Sequence, residues 1–133
     1  MGYRFESDPS NRLLRCVWDG TVTDDLLWEN FLAAKKLVAA YPLRNAINDF
    51  SGIAKFEGSN EMVHRIAQAS PAFGGKDSML IVVAPSVYLY GMLRMFSMLG
   101  DASRPNVHIV RTIDEAYALL GLSSPNFSPL NVP

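Results

Sequence analysis

Six consecutive apolar residues, Met79-Leu80-Ile81-Val82-Val83-Ala84, form the most restrictive stretch of the sequence. A membrane span takes roughly 18 such residues. This shorter run, β-branched at its centre, reads instead as a strand covered on both faces. Pro85-Ser86 ends it, because proline has no N–H for a ladder and serine caps helices. Residues 87–99 then carry Leu89, Met92, Leu93, Met95, Phe96, Met98 and Leu99 without a proline, so the strand gives way to a helix.

That helix is more apolar than a surface helix needs to be. A stripe of roughly 100° is enough to seat a helix on a sheet. Here only Gly91, Arg94 and Ser97 interrupt the apolar residues, and they lie three apart on one narrow polar stripe. One side of the helix is expected to pack on the sheet. Tyr88, Met92, Met95, Met98 and Leu99 are then the expected contact surface for a second copy of the chain or for another protein. Each large apolar side chain left in water forfeits on the order of 1.5–3 kcal/mol. Exposed patches of this kind mark interfaces or apolar ligand grooves, and methionine makes such a surface adaptable. The competing cover is the chain's own tail, through Phe127 and Leu130.

The other elements fall into place around this unit. Residues 3–7 and 13–19 alternate as two strands of an antiparallel hairpin about Asp8-Pro9-Ser10-Asn11, with Leu14, Cys16 and Trp18 on one face and Arg15 on the other. Thr23 caps a helix that opens with Asp24 and Asp25 and stops at Pro42. Its expected inward face is Leu27, Phe31, Ala34, Val38 and Tyr41, with Asn30 toward solvent. Residues 45–50 are a third strand broken at Ser51-Gly52. Ser59 caps a second helix, which ends at Ser70-Pro71 and leads into a loop containing Gly74-Gly75. Residues 106–110 are the fifth strand, reached through a turn at 100–105. Thr112 and Glu115 make a capping box for the last helix, closed by Gly121.

The expected fold class is therefore α/β, ordered β-β-α-β-α-β-α-β-α: five strands, mostly parallel, with one antiparallel N-terminal hairpin strand and four helices. Residues 1–122 form the domain and residues 123–133 an irregular tail.

A chain of 133 residues makes one domain of ordinary size. Twelve Lys and Arg stand against thirteen Asp and Glu, with no basic run, so nucleic-acid binding is not expected. A single cysteine, no secretory pattern after Met1 and no apolar span lead to the expectation of a cytoplasmic protein that does not cross a membrane.

Three stretches resemble the STAS domain, the fold of anti-sigma factor antagonists and of sulfate-transporter cytoplasmic domains. They come closest to the stand-alone bacterial proteins related to those antagonists. Asp49-Phe50-Ser51-Gly52-Ile53 is similar to the Asp-Leu-Ser-Gly-Val end of the third STAS strand. Ala84-Pro85 followed by Tyr90-Gly91-Met92 and Arg94-Met95-Phe96 is similar to the strand–helix junction of the stand-alone family. Residues 107–121 are similar to the closing strand and helix. The resemblance implies a non-enzymatic regulatory module that works by protein contact. Members that regulate sigma factors carry Asp-Ser-Ser-Gly before the second helix and are phosphorylated on its first Ser. This chain has Glu57-Gly58-Ser59-Asn60 there, so Gly58 takes the phosphoacceptor place and Ser59 matches only the second Ser.

Four residues are candidates for a ligand or phosphorylation site: Asp49 and Ser51 at a strand end where open α/β sheets bind ligands, Ser59 at a helix N-terminus, and Arg94 as the one charge of the apolar helix. The ligand would be small and apolar or anionic, lipid-like, lying between that helix and Asp49 or Ser51 with Arg94 on its head group. Cys16, alternating with Leu14 and Trp18, reads as a buried apolar group rather than a nucleophile. Neither histidine, His64 or His108, stands at metal-ligand spacing. Gly74-Gly75-Lys76 lacks the phosphate-loop spacing. No catalytic set, metal or cofactor is expected.

Overall fold

The computed structural model describes residues 2–69, 77–98 and 106–133. The expected Ser70-Pro71 terminator, the Gly74-Gly75 loop, Leu99 and the turn at 100–105 lie outside the described residues, as do the side chains of residues 96–98 and 106.

Strands β1 (Tyr3–Asp8), β2 (Leu13–Val22), β3 (Asn45–Phe56), β4 (Met79–Val83), β5 (Asn106–Val110) and β6 (Ser128–Pro129) form one sheet in the order β5-β4-β3-β2-β1-β6. β2, β3, β4 and β5 run parallel, and β1 is antiparallel to both its neighbours. Four α-helices accompany the sheet: α1 (Asp24–Ala40), α2 (Asn60–Gln68), α3 (Val87–Met98) and α4 (Ile113–Leu120).

Sequential parallel strands joined by right-handed crossovers send every crossover helix to the same face. That face buries Leu14, Cys16, Trp18, Phe50 and Val82 against Leu37 of α1 and Leu89 and Leu93 of α3. α2 rides between α1 and α3, with Val63 and Ala67 packed on Met92. α4 follows the edge strand β5 and folds back on the opposite face. There Ala116 closes over Leu13, Ile47, Ile81, Val83 and Val110.

The capping groups foreseen from the sequence do their work. Thr23, Ser59, Ser86 and Thr112 accept from the backbone N–H three residues on, at 3.3, 3.0, 3.1 and 3.2 Å. The carboxylate of Glu115 takes the N–H of Arg111, one residue before the cap. Gly121 ends α4 at φ +70°, a conformation that suits glycine.

Three expectations need correction. β3 does not break at Ser51-Gly52. It runs on to Phe56, because β2 also continues to Val22 and the two stay paired through register shifts between Val17 and Asp19 and between Gly20 and Thr21. The sheet has six strands rather than five, since Ser128–Pro129 of the tail pairs with Glu6 and Ser7. The inward face of α1 keeps Leu27, Ala34 and Val38 against the core as expected but differs at two places. Asn30 and Leu37 are buried and Tyr41 is exposed. The Asn30 amide donates to Cys16 Sγ at 3.0 Å, so a polar residue occupies a core position with a partner.

Candidate functional site

The outer side of α3 carries the three most exposed large apolar side chains of the described residues. Val87, Tyr88 and Met95 are 76, 70 and 64% exposed, far above the other large apolar side chains. Gly91 and Arg94 are exposed on the same side. Residues 87, 88, 91, 94 and 95 recur at helical spacing, so they form one stripe.

Of the residues expected on this surface, Tyr88 and Met95 are there. Met92 is not: it is 8% exposed and packs with Val63 and Ala67, because α2 lies on that side of α3. Val87 takes its place. Met98 belongs to α3, but its side chain, like all of Leu99, lies outside the described residues. The tail does not cover the stripe, for its strand pairs with β1 at the far edge of the sheet.

Gly91 sits in the middle of the stripe. A glycine inside a helix costs about 1 kcal/mol relative to alanine. A Cβ built there meets nothing within 4 Å, so no close approach among the described residues requires this glycine.

Arg94 lies 5.9 Å from the Tyr90 ring centroid, and Arg111 lies 5.6 Å from the same ring. Arg111 also donates to the Pro85 carbonyl at 2.8 Å, which ties the end of β5 to the entry of α3.

The structure does not assemble the expected groove between Arg94 and the end of the third strand. Strand residues alternate faces. Asp49 is two residues from Ile47 and so shares its face, toward α4, whereas α3 packs against Phe50 and Val82 on the other side. Arg94 and Asp49 are thus on opposite sides of the sheet. Asp49 is also engaged locally: its Oδ1 accepts from both the N–H, at 2.9 Å, and the hydroxyl of Ser51.

Ser59 is held from three directions. Its Oγ accepts from Met62 N at 3.0 Å and donates to Asp24 Oδ2 at 2.7 Å, while its N–H donates to Asp24 Oδ1, also at 2.7 Å. Asp24 thus serves both as a first-turn acid of α1 and as a clamp on the N-terminus of α2. A phosphoryl group on Ser59 would have to displace that carboxylate. At Gly58 a Cβ would stand 2.6 Å from the Phe56 ring and 2.8 Å from Leu27, so a side chain there requires those two side chains to move.

Cys16 is buried, and burial pushes its thiol up to about 12, more than the Asn30 hydrogen bond draws it down. A thiol so placed is a poor nucleophile. Tyr3 is likewise raised to about 12, first by burial and then by its hydrogen bond to Glu29. His64 lines an open groove with Trp28, Glu61 and Arg65, where the Arg65 guanidinium stacks 3.8 Å over the Trp28 ring. Among the described residues no three His, Cys, Asp or Glu converge as metal ligands, and no helix is long and apolar enough to cross a membrane.

Sequence reasoning missed a polar corner on the α4 side. Arg15 donates to Glu6 Oε1 at 3.1 and 2.8 Å and to the Tyr117 hydroxyl at 2.6 Å, and its guanidinium lies 3.8 Å over the Phe127 ring. The available signal was Arg15 alternating against Leu14 and Cys16, directly across from Glu6 in the hairpin register.

Compared with family models, with curated proteins and with solved structures, the chain matches none.

Proposed function

We propose that this chain is a non-enzymatic STAS-like interaction module that acts as a regulator by self-association, as a homodimer, through the outer side of α3. The observation that carries this is the exposure of Val87, Tyr88 and Met95 along one side of α3, which the described residues do not cover. Surface of that kind lowers its free energy by meeting another surface. The strand and helix order and the Asp49-Phe50-Ser51-Gly52-Ile53 stretch support the STAS-like part of the reading. The regulatory part does not run through phosphorylation of Ser59, whose hydroxyl is engaged by Asp24. A cytoplasmic setting belongs to the same reading, with the lone Cys16 unpaired. The alternative of a lipid-like ligand carrier loses its geometric basis with Arg94 and Asp49 on opposite sides of the sheet.

Native mass spectrometry and sedimentation of the purified chain test the proposal. A dimer without added mass is expected. Met95→Lys puts a charge at a position 64% exposed, so it should leave the fold within about 0.5 kcal/mol of the parent. The same change should convert the dimer to monomer. A Met95→Lys chain that stays dimeric removes α3 from the interface. A parent protein carrying a few hundred extra daltons turns the reading toward a carrier.

A further inference from the structure

The groups that seat the C-terminal segment on β1 are held in place without it. Arg15 is fixed by bonds to Glu6 at 3.1 and 2.8 Å and to the Tyr117 hydroxyl at 2.6 Å. Asp8 is fixed by Asn11, whose side-chain amide donates to Oδ2 at 2.8 Å. β1 is paired with β2 along its whole length, from Tyr3 to Asp8. The seat is therefore an ordered strand edge with a carboxylate at one end and a flat guanidinium beside it.

Its occupant is lightly held by comparison. No residue of 121–133 is buried, and only Ser128 and Pro129 pair as a strand. Two side chains clip the segment over the edge from opposite faces of the sheet. Phe127 lies on the α4 face, with the Arg15 guanidinium 3.8 Å from its ring centroid and Tyr117 stacked beside it. Leu130, three residues on, packs with the core of the other face. Two backbone N–H groups complete the hold, from Asn126 to Asp8 Oδ2 and from Leu130 to the Phe5 carbonyl, both at 3.0 Å. Ser123 and Ser124, between the segment and the end of α4, are exposed.

These contacts need only an extended backbone with an aromatic residue and, three places later, an aliphatic one. Adding a strand to a sheet edge is a common mode of peptide recognition, in which main-chain bonds give affinity and side-chain pockets give selectivity. A seat already organised has little order left to lose on binding. A segment with few buried contacts opens at a fraction of the cost of global unfolding.

We propose that the β1 edge is a peptide-binding site which residues 126–130 occupy within their own chain. The partner is an extended segment of another protein, with an aromatic residue at the Phe127 place and an aliphatic one at the Leu130 place. Proline is accepted at the Pro129 place, on an outer edge where a missing donor costs nothing. The tether gives the chain's own segment an effective concentration of about millimolar. A partner therefore takes the site when it binds more tightly than the tail or when the tail is weakened. The site lies at the far edge of the sheet from β4 and β5, which α3 joins, so it stands or falls independently of self-association.

A labelled peptide with the sequence of residues 122–133 is titrated into the parent chain and into Phe127→Ala, and binding is read by fluorescence anisotropy. Phe127→Ala removes the main anchor of the chain's own tail, so this chain should bind the peptide about tenfold or more tightly than the parent does. Near-ultraviolet dichroism checks that its fold is kept. The Phe127→Ala form of the peptide should bind neither chain. A folded Phe127→Ala chain that does not take up the peptide, or equal binding of the two peptides, overturns the proposal.

Hydrogen exchange of the parent reads the same property without a variant. The Asn126 and Leu130 amides should exchange about tenfold or more faster than those of Ile47 and Ile81 in the central strands. Exchange at one common rate would mean that the segment leaves only when the whole fold opens, and it would equally overturn the proposal.

Discussion

On the α4 side of the sheet, the edge strand β1 and the guanidinium of Arg15 are covered by the chain's own C-terminal segment. On the outer side of α3, by contrast, Val87, Tyr88 and Met95 stand 64 to 76% exposed. The first region resolves three liabilities within one chain. Ser128 and Pro129 pair with the β1 edge, and the Leu130 N–H donates to the Phe5 carbonyl at 3.0 Å. Phe127 lies against Arg15 and stacks on Tyr117. The Asn126 N–H donates to the buried carboxylate of Asp8 at 3.0 Å. An open sheet edge invites pairing with other chains, and Pro129 sits at the new edge, where it offers no donor. The same chain that closes this edge so thoroughly leaves an aromatic and a methionine in water on α3. The difference is one of cover: the β1 edge is paired by the chain's own tail, whereas the large apolar side chains of α3 that the proposed self-association would use stand exposed.

The largest effect is expected from removing residues 123–133. That deletion takes away β6, the Phe127 stack and the ligand of Asp8, and it uncovers the β1 edge. A loss of about 3–5 kcal/mol in urea unfolding is expected from the combined burial and hydrogen-bond terms. The truncated chain should also aggregate on unfolding more readily than the parent. A loss below about 1 kcal/mol would mean that the tail is a passenger, and the contrast with α3 would collapse.

Asp8 gives a smaller and pH-dependent effect at the same place. Its burial alone would raise the pKa. The Asn11 side chain and the N–H groups of Asn126, Asn11 and Ser10 outweigh burial and hold the carboxyl below its ordinary 3.8. A carboxyl depressed in the folded state contributes stability that is complete above its unfolded value and disappears as pH falls through the folded value. Asp8→Asn should therefore cost about 1–3 kcal/mol near neutral pH. The gap from the parent should narrow as both are titrated from about pH 5 downward, read by urea midpoints. A gap that stays constant through that window would show that the Asp8 charge does not hold the tail.

Much of this architecture is written in local signals, and the exceptions share a cause. Thr23, Ser59, Ser86, Thr112 and Gly121 mark helix ends through interactions of a few residues' range, and each does so in the structure. The face of α1 was legible only in part. Leu27, Ala34 and Val38 pack on the core as their spacing indicates, but Tyr41 stays exposed and Asn30 is buried with Leu37, because Cys16 across the layer gives Asn30 a partner. The continuation of β3 past Ser51-Gly52 depends on β2 continuing beside it, which is a matter of pairing rather than of propensity. The candidate site divides the same way. Tyr88 and Met95 were visible as a surplus on one helix, but the inward turn of Met92 follows from where α2 lands. The separation of Arg94 from Asp49 follows from which face each strand residue takes.

The smallest expected effect sharpens the comparison most. Tyr88 is a large aromatic residue, yet Tyr88→Ser should change the stability of the monomer by no more than about 0.5 kcal/mol, since its ring is 70% exposed. At a concentration where the parent is mostly dimer, the same variant should melt earlier, because it gives up the stabilisation that association adds to the folded state. Unfolding the parent and Tyr88→Ser over a hundredfold range of protein concentration reads both quantities together. The parent midpoint should climb with concentration and the variant midpoint should stay flat, with the two converging at the dilute end. If the variant is less stable even when dilute, the Tyr88 ring serves its own fold, and the outer side of α3 is no longer different in kind from the covered side.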